Sequence, residues 1–110
     1  MENYLNKQME NKVKYFLPEY SVASDLADFF SVFSDGTRLR LLSALSISDM
    51  CVTDLANVLD LNQTTVSHQL KLLKSVGVVD SVRYGKSIFY SINNKVVKEV
   101  MMCGVNYLGY

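Results

Sequence analysis

The stretch "QTTVSHQLKLLKSVG", residues 63–77, decides how this chain is read. Wound at 100° per residue, it places Val66, Leu70 and Leu73 in one narrow sector that must face a core. Thr64, Ser67, His68, Lys71 and Ser75 fall opposite, with Gln63 and Thr65 near the first turn. The outward face is short hydroxyls, one imidazole and one lysine, and no aspartate or glutamate occurs anywhere in the stretch. Short Ser and Thr side chains let a helix approach closely, while Gln and His donate and accept hydrogen bonds at base edges in a DNA major groove. The free N–H groups at the helix start also suit a phosphate. A polar face is equally what a solvated helix shows, so the flanking segments must decide.

Upstream, "VTDLANVLDL" (52–61) carries Leu55, Val58 and Leu59 as a short apolar stripe, and a tight turn at Asp60–Asn62 joins it to the longer helix. A short helix, a three-residue turn and a longer helix make a helix-turn-helix. Downstream of Gly77 the period changes from helical to alternating. "VVDSVRY" and "SIFYSI" are rich in β-branched and aromatic residues, and "GK" between them predicts a hairpin turn. Val78, Asp80, Val82 and Tyr84 fall on one side of the first strand; Ile88, Tyr90 and Ile92 fall on one side of the second. The hairpin carries Arg83 and Lys86 near its tip, where a wing meets the DNA backbone beside the groove that the helix reads.

Further out, "SDGTRLRLLSALSI" (34–47) sets Leu39, Leu42 and Leu45 on one helical face, and "DLADFFSVF" (25–33) repeats Leu26, Phe29, Phe30 and Phe33. The single proline, Pro18, separates these from an N-terminal arm in which Leu5, Met9, Val13 and Phe16 recur at helical spacing. "NNKVVKEVMMCGVNYL" (93–108) closes the chain as a helix through Val97, Val100, Met101 and Val105, capped by Asn93 or Asn94. The expected organisation is an arm over residues 1–20 and one domain over 21–110. The expected fold class is mainly α with a small β-hairpin.

Composition agrees. At 110 residues, 49% hydrophobic and 20% charged, the chain suits one globular domain. Net charge is zero, yet residues 1–35 carry a net −3 and residues 61–92 a net +3, so one face is basic. The two cysteines, Cys51 and Cys103, make no disulfide framework, which points to a reducing cytoplasm. No apolar run is long enough for a membrane span, and the N-terminus lacks an apolar signal core. There is no glycine-rich phosphate loop or paired-carboxylate constellation, and the one histidine has no evident nucleophile partner, so an enzyme is not expected.

The segments "SDGTRLRLLSAL", "CVTDLANVLDLNQTTVSHQLKLLKSVGVVDSVRYGKSIFYSI" and the closing helix resemble the ArsR/SmtB (arsenic-resistance-repressor) family, over roughly residues 22 to 108. The resemblance implies a winged helix-turn-helix homodimer held by its first and last helices, here "DLADFFSVF" and "KVVKEVMMCGVNYL". It implies a repressor that binds an inverted-repeat operator and is released by an inducer. It assigns base reading to Gln63, Thr64, Ser67 and His68. Thr65, Lys71, Arg83 and Lys86 complete the expected DNA-binding set. A winged-helix module that binds a protein partner and no DNA is the alternative, suggested by zero net charge and the acidic first helices.

Family members often sense metals. At the first known site pattern this chain reads "MCVTDLA": Cys51 is present, Thr53 stands where a second thiol belongs, and the arm brings no cysteine. Asp49 and Asp54 are the only other ligands nearby. At the second pattern, on the closing helix, the positions hold Asn94, Val96, Tyr107 and Tyr110. A closed zinc site wants four donors and a thiophilic ion several thiolates, so no metal site or cofactor is expected. A thiol switch between Cys51 and Cys103 is a further candidate, against the plainer reading of both as packing residues. No residue pattern names the inducer.

Overall fold

A computed structural model describes residues 2–110. Its elements run α1 (Lys7–Phe16), α2 (Tyr20–Ser31), α3 (Gly36–Ile47), β1 (Met50–Cys51), α4 (Val52–Leu59), α5 (Gln63–Ser75), β2 (Val79–Tyr84), β3 (Ser87–Ile92) and α6 (Lys95–Leu108). The fold is a winged helix-turn-helix: α3, α4 and α5 enclose a core, and the β2–β3 hairpin follows α5 directly.

The core is built by the periodicity of α5. Val66, Leu70 and Leu73 are fully buried against Leu41, Leu42, Leu45, Leu55 and Leu59, and Val79 closes the base of the wing. Two expectations change in detail. Leu41 is buried whereas Leu39, chosen from the spacing, is half-buried. Val58 is exposed, because α4 is only eight residues long and already seats Leu55, Ala56 and Leu59 inward.

Local chemistry sets the breaks between elements. Asp60 adopts the left-handed conformation (φ 55°), a state that Asp tolerates better than most residues. The Leu61 and Asp60 N–H groups donate to the Ala56 and Asn57 carbonyls, which ends α4 in a Schellman motif. Gly77 (φ 79°) ends α5 in the same way, with Val78 N–H donating to the Leu73 carbonyl and Gly77 N–H to that of Lys74. Buried Val78 thus belongs to the helix stop, and β2 begins one residue later. In the hairpin, Tyr84 pairs with Ser87, and Gly85 carries the positive φ (61°) that a two-residue turn needs at its first position.

The sheet has three strands where two were expected. Met50 and Cys51 form a short strand that pairs antiparallel with Tyr90 and Phe89, giving the order β1-β3-β2. A two-residue strand has no alternation for a sequence reading to detect, and its partner lies far along the chain. The closing helix is capped by Asn94, whose Oδ1 accepts from Val96 N–H. Asn93 instead ties the end of β3 to the end of α5, its Nδ2 donating to the Gly77 carbonyl at 2.6 Å.

The N-terminal region behaves unlike the core. The helix expected from about residue 25 already starts at Tyr20, and neither α1 nor α2 buries a single residue. The Cα radius of gyration is 19.0 Å and the principal extents are 64 × 30 × 24 Å. A compact domain of this length has a radius of roughly 13 Å. Arg38 holds the end of α2 to α3: its Nε donates to the Val32 carbonyl and its Nη2 to that of Ser31. Among the described residues, no helix is long and apolar enough to cross a membrane.

Candidate nucleic-acid interface

The start of α5 is organised by Asn62. Its Oδ1 accepts from Thr65 N–H at 2.7 Å, satisfying one of the unpaired donors of the first turn and setting the entry angle of the helix. Asn62→Ala is expected to cost about 0.5–2 kcal/mol of stability, read as a lowered midpoint in urea unfolding. An unchanged midpoint would show that the cap is dispensable.

Beyond the cap, Thr64, Ser67, His68, Lys71 and Ser75 are all exposed on one side of α5, and Gln63 is exposed at its first turn. Thr65 is half-buried and lies at the edge of that face. Gln69, one turn further along the same edge, has a buried Oε1 with no hydrogen-bond partner among the described residues. The exposed set carries no acidic side chain, so nothing on the helix repels a phosphate backbone.

Strand register decides how the wing stands beside this helix. Val79, Ser81 and Arg83 share one face of β2, and Ile88, Tyr90 and Ile92 share it on β3. At the base this face is core: Val79 is fully buried, and Tyr90 and Ile92 pack on the cluster. Towards the tip it opens to solvent, so Arg83 emerges on the side that faces α5. Lys74 of α5 reaches across to the same face, its Nζ donating to Ser81 Oγ at 2.6 Å. Lys86 lies in the turn at the tip. Tyr84 is exposed on the opposite face, its ring edge-on to Phe89 at 5.7 Å.

The Lys74–Ser81 tether and the Asn93 link have no counterpart in the sequence reading. Both join residues that helix and strand periodicity treat separately. Asn62 does carry a signal, since an asparagine before the helix is a favoured cap.

The cysteines fall elsewhere. Cys51 is half-buried, precedes the first turn of α4 and pairs with Phe89, so it shares the outward face of the sheet with Val82 and Tyr84. Asp49 and Asp54 beside it are exposed, and Cys103 is exposed on α6. Among the described residues, no three His, Cys, Asp or Glu side chains converge as a metal-binding group.

A recognition helix with an acid-free outward face, braced by a basic wing, defines a DNA-binding winged helix. The family model described as "Bacterial regulatory protein, arsR family" matches residues 35–81. The chain is 38% identical over 104 residues to the cadmium resistance transcriptional regulatory protein CadC of Listeria innocua, covering 94% of this chain and 87% of that one. Among solved structures it is similar to the AntR antimony-specific transcriptional repressor (TM-score 0.76, 33% identity, 84% of each chain). A homodimeric winged helix-turn-helix DNA-binding domain from Mycobacterium bovis shares the fold (TM-score 0.73, 22% identity, 98% of this chain and 90% of that one). The chain belongs to the ArsR family. It is a DNA-binding transcriptional regulator and not an enzyme.

Proposed function

We propose that this protein is a homodimeric repressor that occupies an inverted-repeat operator and leaves it when an inducer arrives. The observation that carries the reading is the outward face of α5: Gln63, Thr64, Ser67 and His68 at the base edges, with Lys71, Arg83 and Lys86 set to meet phosphates. Thr65, half-buried, backs the base-reading row.

The dimer is argued from the faces that one protomer leaves uncovered. Val22, Leu26 and Phe30 of α2 are exposed, as are Val96, Met102 and Val105 of α6. An apolar groove of about 330 Å³ runs between α3 and α6, lined by residues that include Phe33, Leu39, Val100, Met101 and Leu108. Apolar area on this scale is normally covered by a partner. Twofold pairing of α2 and α6 would cover it and present two α5 helices to successive major grooves, roughly 34 Å apart. On this reading residues 1–20 are an arm ahead of the dimerising domain 21–110, and two unpaired thiols suit a reducing cytoplasm.

Cys51 with Asp49 and Asp54 offers one thiolate and two carboxylates per subunit, a poor set for a thiophilic ion. We place no metal ion or cofactor there. A protein-docking module without DNA binding is not favoured by any feature of the α5 face.

Fluorescence anisotropy with the protein's own promoter and a random duplex tests the proposal. Specific affinity should exceed non-specific affinity by about 10³ or more and fall steeply with salt. Equal affinity for both duplexes would remove the repressor reading. Within that assay, Ser67→Ala and His68→Ala should lower discrimination, whereas Lys86→Ala should weaken all duplexes alike and reduce the salt slope by about one.

A further inference from the structure

The segment "TRLRLL" places two arginines two residues apart at the start of α3, and the fold gives them different situations. Arg38 is held inward, its guanidinium donating to the carbonyls of Val32 and Ser31. Arg40 is exposed, and none of the hydrogen bonds or ion pairs among the described residues uses it. It lies on the wall of an open cleft with Thr37 and Gly36, and the opposite wall is Leu59 and Leu61. Those two leucines bracket Asp60, in the turn that leads straight into the Asn62 cap and the first residues of α5.

The unengaged guanidinium therefore stands beside the DNA-facing end of the recognition helix, outside both the helix-turn-helix polar face and the wing. An arginine suits this position better than a lysine, because its planar fork meets a phosphate with two parallel hydrogen bonds. The acidic residues next to the segments that line this cleft are Asp35 and Asp60. The Asp35 carboxylate is occupied as the cap of α3, accepting from Arg38 N–H at 2.9 Å. Asp60 forms no ion pair within 4.0 Å among the described residues.

We propose that Arg40, assisted by the Thr37 hydroxyl, grips a backbone phosphate of the operator strand that flanks the major groove entered by α5. The grip positions the helix and carries no sequence information of its own. It rests on the DNA-binding reading above and adds a third anchoring point to α5 and the wing, one on each protomer.

The test compares full-length wild type with Arg40→Gln, Arg40→Lys and Lys98→Gln, the last removing one exposed positive charge from α6. Operator affinity is measured by anisotropy across a salt series, with melting temperatures recorded in parallel. Arg40→Gln should bind both operator and random duplex on the order of tenfold more weakly, and the log–log salt slope should fall by about 0.9 for each phosphate no longer neutralised. Melting temperature should not move, Lys98→Gln should keep the wild-type slope, and Arg40→Lys should restore the slope with part of the affinity. If wild type binds its operator steeply while Arg40→Gln keeps the same affinity and slope, the inference is wrong and the DNA reading stands. An equal slope change in Lys98→Gln also overturns it, since net charge would then be the cause. If wild type shows no operator preference, the repressor reading fails and takes this anchoring point with it.

Discussion

Replacing Phe30 with aspartate is expected to yield a folded monomer that binds operator about 10²–10⁴-fold more weakly than wild type. Phe30 is 53% exposed on α2, a helix with no fully buried residue in its own protomer. Among the described residues its one aromatic partner is Phe29 of the same helix, at 5.3 Å, and Phe30 is not part of the core cluster, so its replacement leaves the α3–α4–α5 core untouched. In a twofold interface each substitution appears twice and places an unpaired carboxylate against apolar surface, a loss that geometry cannot repair. The monomer keeps one recognition helix, and the gain from binding two half-sites at once disappears. Sedimentation velocity reads the association state, and anisotropy reads the affinity. A Phe30→Asp protein that still sediments as a dimer would place the interface away from α2.

The second large effect belongs to the core. Leu70→Ala should destabilise the fold by about 2–5 kcal/mol, the range for removing a leucine from a packed interior. Leu70 is 0% exposed and sits among Leu41, Leu42, Leu55 and Leu73, where three helices meet and collapse around a cavity is difficult. Domains of this size hold only about 5–15 kcal/mol in total, so a substantial share of the protein would be unfolded at modest temperature. The expected fall in Tm is on the order of 10 °C or more. Leu72→Ala, two residues on, is the comparison: Leu72 is 44% exposed and its truncation should shift Tm by a few degrees at most. Equal losses at positions 70 and 72 would mean that α5 is rotated from the orientation described, and the assignment of its polar face to DNA would fall as well.

These expectations separate what the residue order carries from what folding adds. The rotation of α5 is readable because a thirteen-residue helix samples its period more than three times, enough for Val66, Leu70 and Leu73 to define one side. The eight residues of α4 sample it barely twice, and Val58, expected on the apolar stripe, faces solvent. Choosing between Asn93 and Asn94 as the cap is beyond local spacing, since either could reach a first-turn N–H. Packing decides it, because the Gly77 carbonyl at the end of α5 engages Asn93 and leaves Asn94 to the helix.

The same distinction governs the functional surface. Sequence by itself determined that α5 has an acid-free polar face, that a hairpin with Arg83 and Lys86 follows, and that Cys51 lacks a second thiol beside it. Those are properties of neighbours along one helix or one strand, where the backbone repeat fixes direction. Only the tertiary structure decided that Met50 and Cys51 extend the sheet, that Lys74 reaches Ser81, and that Arg38 turns inward while Arg40 stays free beside the turn into α5. Each of these depends on segments distant in the chain, or on which of two similar side chains finds a carbonyl to bond. No periodicity encodes such a choice; it is made when the helices close on their common core.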